Sequence, residues 1–161
     1  MIDLKFTVNG KKVQLRVPGA KRLLDILRED LGFLSVKEGC SKGECGVCSV
    51  IFNGRVINAC LMLACQADGS EITTLEGLSK NGKMDLLQEA FVETGAIQCG
   101  FCTPGLVVAS RALLNKNPDP TEEDIRDGLS GNLCRCTGYT KIVAAVKAAI
   151  EKESNTRRGD S

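Results

Sequence analysis

Nine cysteines and no histidine constrain this chain more than anything else in it. The cysteines stand at Cys40, Cys45, Cys48, Cys60, Cys65, Cys99, Cys102, Cys134 and Cys136. An odd number cannot pair completely into internal disulfides. The missing histidine removes imidazole acid–base chemistry, Ser-His and Cys-His nucleophiles, Cys₂His₂ zinc sites and Rieske-type ligation. The first residues, Met1 to Lys5, show no secretory pattern, and no run reaches the length of a membrane span. A reducing, cytoplasmic setting is therefore expected, where clustered thiols bind metal or do redox work rather than staple a fold.

Charge excludes other partners. Lys and Arg number 21 against 20 Asp and Glu, a formal balance of +1, and aromatics make up only 4%. Neither the basic footprint nor the stacking surface of a nucleic-acid binder is present. At 161 residues the chain can bury a substantial core, in one domain or two small ones.

Hydropathy divides the chain. Ile2, Leu4, Phe6 and Val8 alternate with polar residues, as do Val13, Leu15 and Val17, with Asn9-Gly10 between them. That arrangement predicts a hairpin, because both turn residues must adopt positive φ. Asn53-Gly54 predicts another between Val50–Phe52 and Val56–Ile57, and 72–75 reads as a further strand. Leu23, Leu24, Leu27 and Leu31 recur at helical spacing and stop at Gly32. Residues 1–80 thus read as a mixed sheet on one helix, of β-grasp type. Beyond Gly82 the period becomes helical, over 84–94, 104–115, a segment opened by Thr121-x-x-Asp124, and 139–152. Thr103 is expected as the N-cap and Pro104 as the first helical residue of the 104–115 helix. The fold class is α+β, with a four-helix unit over 81–153 and a polar, mobile tail over 154–161.

Cys40-x4-Cys45-x2-Cys48, with Cys60 to follow, is the plant-type spacing for a 2Fe-2S cluster. Gly39, Gly43 and Gly46 let the loop curl so that amide N–H groups face sulfur. Zinc or plain structural thiols are the other readings. Cys99-x2-Cys102 and Cys134-x-Cys136 form a further quartet. It suits an iron–sulfur centre or a Cys₄ zinc site, although zinc favours a two-residue gap in both pairs. Cys65, in an apolar stretch, reads as a buried inert thiol. Phe101 and Tyr139 read as packing residues. Glu38 and Glu44 should point away from an anionic cluster, and no residue of the chain is assigned a catalytic role.

Three motifs together carry a resemblance: Glu38-Gly39-Cys40 through Cys48, Gln98-Cys99-Gly100-Phe101-Cys102-Thr103-Pro104-Gly105, and Gly131 through Tyr139. In that order they resemble the iron–sulfur (small) subunit of the molybdenum hydroxylases, the xanthine dehydrogenase family. The resemblance spans about residues 2–152. It implies a plant-type ferredoxin domain with one 2Fe-2S cluster on Cys40, Cys45, Cys48 and Cys60, and a helical domain with another on Cys99, Cys102, Cys134 and Cys136. It implies molybdopterin on a large partner subunit, contacted by Gln98 and Cys136, and FAD on a medium one, within a dimer of heterotrimers. Electrons would pass from molybdenum through both clusters to flavin as a small substrate is hydroxylated. An N-heterocycle such as xanthine or nicotinate is the preferred substrate. A stand-alone ferredoxin and a zinc-stabilised adaptor are the competing functions.

Overall fold

A computed structural model describes residues 1–159. Strands β1 (Ile2–Val8), β2 (Lys11–Val17), β3 (Ser49–Phe52), β4 (Arg55–Asn58) and β5 (Glu71–Thr73) form one sheet in the order β2-β1-β5-β3-β4. Only the β1–β5 pair is parallel. Both Asn-Gly turns form as the sequence predicts: Asn9 and Gly10 have φ of 50° and 76°, and Asn53 and Gly54 have 47° and 79°. A third such pair, Asn81-Gly82, closes a small turn bridged by Lys80 and Lys83. It lacks flanking alternation, which is why hydropathy alone does not mark it.

The expected helix begins as α1 (Leu23–Asp25) and continues as a π-helical turn over Ile26–Asp30. The Leu31 amide donates to the Ile26 carbonyl at 3.1 Å, and Gly32 ends the run at φ 75°. The wider turn still buries Leu23, Leu24, Ile26 and Leu27 against Leu4, Phe6, Val8, Val50 and Ile72. This is the β-grasp core.

Helices α2 (Leu86–Glu93), α3 (Thr103–Lys116), α4 (Glu122–Gly128) and α5 (Thr140–Gly159) make up the other half. Asp85 and Thr121 cap α2 and α4 through reciprocal side-chain and backbone bonds. Helix α3 starts one residue earlier than its sequence suggests. Cys102 rather than Thr103 is the flanking residue, and Pro104 lies inside the first turn. Helix α5 runs through Gly159, so residues 154–159 are helical and not a tail; Asp160 and Ser161 lie outside the described residues. Within that segment Arg157 pairs with Glu153 on the preceding turn.

The two halves share apolar surface. Leu87, Phe91, Leu106, Val107, Ile125, Ile142 and Val146 pack with Val47, Ile51 and Leu78. Val50 faces one core and Ile51 the other, so both faces of β3 are covered. This explains its unbroken apolar sequence. Arg111, largely buried, ties α3 to Asp85 and to Glu153 of α5. Among the described residues no helix is long and apolar enough to cross a membrane.

Where α3 meets the cysteine loop there is no room for a side chain. A Cβ on Gly105 would lie 2.5 Å from the Gly46 carbonyl oxygen and 3.1 Å from Val47 Cα. Gly105→Ala is expected to cost about 1–3 kcal/mol, read as a lower denaturation midpoint. Gly131→Ala meets nothing within 4 Å and serves as the neutral control. Equal midpoints for both variants would show that the seam is not close-packed.

Candidate iron–sulfur sites

The first quartet grows from a loop between α1 and β3. Ser41, Gly43 and Gly46 take φ of 56°, 76° and 67°, folding residues 40–46 back around one sulfur. Cys40 Sγ accepts backbone N–H bonds from Lys42 (3.4 Å), Glu44 (3.3 Å) and Cys45 (3.4 Å). The Lys42 amide, then those of Cys45 and Glu44, hold the Cys40 thiol down to about 6. Gly39 has an ordinary φ but serves close approach, because a Cβ there would lie 2.9 Å from Cys45 Sγ.

Cys48 and Cys60 sit deeper, at the start of β3 and just past β4, and both are buried. Burial, then the facing Cys60 and Cys45 thiols, push Cys48 up to about 12. Outside the loop, Glu38 accepts bonds from Arg22 (2.7 Å) and Ser41 (2.7 Å). The Ser41 hydroxyl and then Arg22 hold its carboxyl below the usual range, so Glu38 braces the loop rather than facing the sulfurs.

The second quartet lies at the mouth of the helical half. Cys102 is buried at the start of α3, Cys134 is half-buried, and Cys99 and Cys136 are exposed. Cys136 and Cys99 approach to 3.6 Å between sulfurs. Cys134 Sγ accepts from the Thr137 amide (3.4 Å) and hydroxyl (3.1 Å). Burial opposes ionisation of Cys134, but the Thr137 donors outweigh it and lower the thiol. Burial, followed by the neighbouring Cys134 and Cys99, pushes Cys102 up to about 12.

Among the described residues no group of three or more His, Cys, Asp or Glu stands in the geometry of a single bound ion. The closeness is pairwise and chained. Cys40 touches Cys45, which bears on Cys48, which bears on Cys60. Cys102 bears on Cys99 and Cys134, and Cys136 on both of those. Four thiolates so placed would repel one another in a desolvated pocket. A dinuclear iron centre reverses that, because a bound cation favours the thiolates, while the N–H groups at Cys40 and Cys134 stabilise sulfur charge. The residues present fit a 2Fe-2S cluster in each place.

The loops of the two quartets are joined. The Leu133 amide donates to the Cys45 carbonyl at 2.9 Å. Asn132, buried, donates from Nδ2 to the Gly46 carbonyl (2.8 Å) and to Ser49 Oγ (3.1 Å). Gly46 must be glycine here, since its Cβ would lie 2.3 Å from the Gly131 oxygen.

Residues 6–73 match the family of the 2Fe-2S iron-sulfur cluster binding domain, and residues 74–147 match that of the 2Fe-2S binding domain. The chain is 57% identical over 154 residues to the nicotinate dehydrogenase small FeS subunit of Eubacterium barkeri, covering 96% of this chain and 98% of that one. It is 50% identical over 147 residues to the xanthine dehydrogenase iron-sulfur-binding subunit of Escherichia coli O157:H7, covering 90% and 92%. The chain belongs to the iron–sulfur subunits of the molybdenum hydroxylase family. The crystal structure of quinoline 2-oxidoreductase from Pseudomonas putida 86 superposes with a TM-score of 0.90 at 41% identity, over 99% of this chain and 98% of that chain. The chain therefore carries two 2Fe-2S binding domains, a ferredoxin-like sheet unit followed by a helical one.

Within this family fold, Gln98 is exposed beside Cys99, and its side chain makes no hydrogen bond among the described residues. Phe101 is 46% exposed, so it is not a core residue, and its ring lies beside Gly39 of the other cysteine loop; Ile97 and Leu133, each within two residues of a cysteine of the second quartet, are also exposed. Tyr139 does more than pack, because its phenol hydrogen-bonds Cys134 and Asn132. Asn132 and Leu133 join the loops; the Gly131–Tyr139 motif contains both, but nothing in it discloses contacts to residues more than eighty positions away. Cys65 departs furthest from expectation: it is exposed, not buried. Apolar neighbours in sequence implied burial, but the short 3₁₀ turn Ala64–Gln66 buries Ala64 and leaves Cys65 facing out.

Were the two quartets to hold iron, Cys65 would be the thiol left free to react. Iodoacetamide is expected to add a single adduct to the iron-loaded protein, mapped by mass spectrometry to Cys65. Cys65→Ser should abolish that adduct with iron content unchanged. Iron loss in Cys65→Ser, or earlier labelling of Cys60, would place Cys65 within the quartet.

Proposed function

We propose that this chain relays single electrons between partner subunits, through one cluster on Cys99, Cys102, Cys134 and Cys136 and another on Cys40, Cys45, Cys48 and Cys60. The carrying observation is the Leu133 amide donating to the Cys45 carbonyl at 2.9 Å. One hydrogen bond thus spans from the backbone of one proposed ligand to the residue next to another. Each cluster, when bound, supplies reversible one-electron chemistry. The protein supplies thiolate positions, amide donors to sulfur, and exclusion of water around Cys48, Cys60 and Cys102. No side chain here is assigned substrate chemistry.

Direction follows from exposure. Cys99 and Cys136 reach the surface, and the exposed apolar residues Ile97, Phe101 and Leu133 lie next to the quartet in sequence, which suits a face covered by another chain. On our reading that chain is the large molybdopterin-binding subunit, with Gln98 and Cys136 against the pterin. A medium FAD-binding subunit lies beyond the Cys40 loop, and the assembly is a dimer of heterotrimers in the cytoplasm. The relatives named above bear the names of nicotinate and xanthine dehydrogenases, which supports an N-heterocycle, nicotinate or xanthine, as the substrate hydroxylated by the complex. The domain division we adopt is 1–80 and 81–159, because α5 carries the second domain past residue 153.

Anaerobically purified protein is expected to hold about four iron and four acid-labile sulfide per chain, the content of two such clusters. Zinc without sulfide would refute the assignment. In the complex, Cys45→Ser should erase one reduced-state EPR signal and Cys102→Ser the other. Loss of both signals from either single change, in a folded protein, would show one shared centre. Gln98→Ala should loosen pterin docking, seen as a lower molybdenum content with iron retained, and unchanged molybdenum would remove Gln98 from that role.

A further inference from the structure

The loop from Cys134 to Tyr139 carries a backbone conformation that packing alone does not explain. Tyr139 sits at φ 68°, directly after Gly138 at φ 65°. A bulky residue in the left-handed region is crowded at its β-carbon and persists only where the surroundings enforce it. The turn brings the phenol back over its own loop. Tyr139 Oη accepts from the Cys134 amide at 2.7 Å and donates to the Asn132 carbonyl at 3.3 Å.

Those partners flank Leu133, whose amide crosses to the Cys45 carbonyl, while the Asn132 side chain reaches Gly46 and Ser49. The phenol therefore grips the peptide unit that makes the crossing, through the Asn132 carbonyl, and the following one, through the Cys134 amide. It also occupies the amide N–H of Cys134, a donor that belongs to a residue of the quartet. Thr137 supplies the donors to Cys134 Sγ instead.

We propose that Tyr139 is a positioning residue whose hydroxyl sets how easily the helical-half cluster is reduced and how well the Leu133–Cys45 crossing is aligned. This rests on the cluster assignment made above. Removing the phenolic oxygen frees an N–H for sulfur, which favours the more negative, reduced state. The same removal loosens the grip on residues 132 and 134. One electron is exchanged between the clusters, and no proton transfer is required of Tyr139.

The test uses the purified complex with Tyr139→Phe, which retains the ring. Iron and sulfide are counted first, each cluster is then titrated by EPR, and inter-cluster transfer is followed by rapid mixing. Expected are unchanged iron, an unchanged signal from the Cys40-loop cluster, slower transfer, and a helical-half cluster about 2- to 10-fold more reduced at a fixed potential, the scale of one hydrogen bond. Wild-type titrations and wild-type transfer in a loaded Tyr139→Phe complex would overturn the proposal. Absent sulfide in the unmodified complex would instead overturn the cluster assignment. Should Tyr139→Phe fail to load iron, 3-fluorotyrosine placed at position 139 and kept neutral at mildly acidic pH weakens the oxygen as an acceptor without changing shape. A smaller shift in the same direction supports the role, and no shift overturns it.

Discussion

The bonds from Leu133 to Cys45 and from Asn132 to Gly46 and Ser49 are the contacts on which the rest of the architecture depends. The Asn132 bonds lie where water is excluded, with Asn132 only 5% exposed. A buried amide left unpaired costs roughly 1–3 kcal/mol, so the seam is satisfied as a unit or not at all. Meeting that condition needs backbone against backbone. Gly46 and Gly105 are therefore placed where any side chain would collide with the facing loop or helix. The apolar contacts of Val47 and Ile51 with the helical core close the seam around these bonds. Because the bonds join the cysteine loops themselves, the rigidity of the seam is also the rigidity of the spacing between the two quartets.

What the sequence discloses is mostly what is encoded locally. An Asn-Gly pair states its own turn, a Thr-x-x-Asp its own helix start, and Cys-x4-Cys-x2-Cys its own loop, because the physics of each closes within a few residues. The strands, helices and thiol quartets are legible for that reason. Tertiary terms decide what is not. Cys65 lies in an apolar stretch but faces outward because a 3₁₀ turn gives its inward position to Ala64. The run after Ser154 is polar, yet it stays helical because α5 is pinned upstream by Arg111 and Lys152. Asn132 and Tyr139 act across separations or strained angles that no periodicity records.

The chain treats its sulfurs unevenly, and the unevenness has a physical consequence. Around Cys40, charge on sulfur is met by three amides from a loop of the chain's own making. Cys48 and Cys60 are sealed by the β-grasp core. The environment of that quartet is largely complete within the chain. At the other quartet only Cys102 is buried, and Cys134 draws its donors from Thr137. Cys99 and Cys136 stand in water.

Desolvation disfavours added negative charge, whereas amide donors and nearby cations favour it. A cluster at the open quartet would therefore take more of its potential from whatever covers Cys99 and Cys136 than one at the Cys40 quartet would from its own partner. In the proposed complex this makes the driving force between the two centres a property of assembly. Docking a low-dielectric surface over Cys99 and Cys136 would make a cluster there harder to reduce and, on the proposed relay, a better donor toward the Cys40 loop. Such a gradient would point away from the covered face without any residue of this chain having to move, which is what a close-packed seam between the quartets allows.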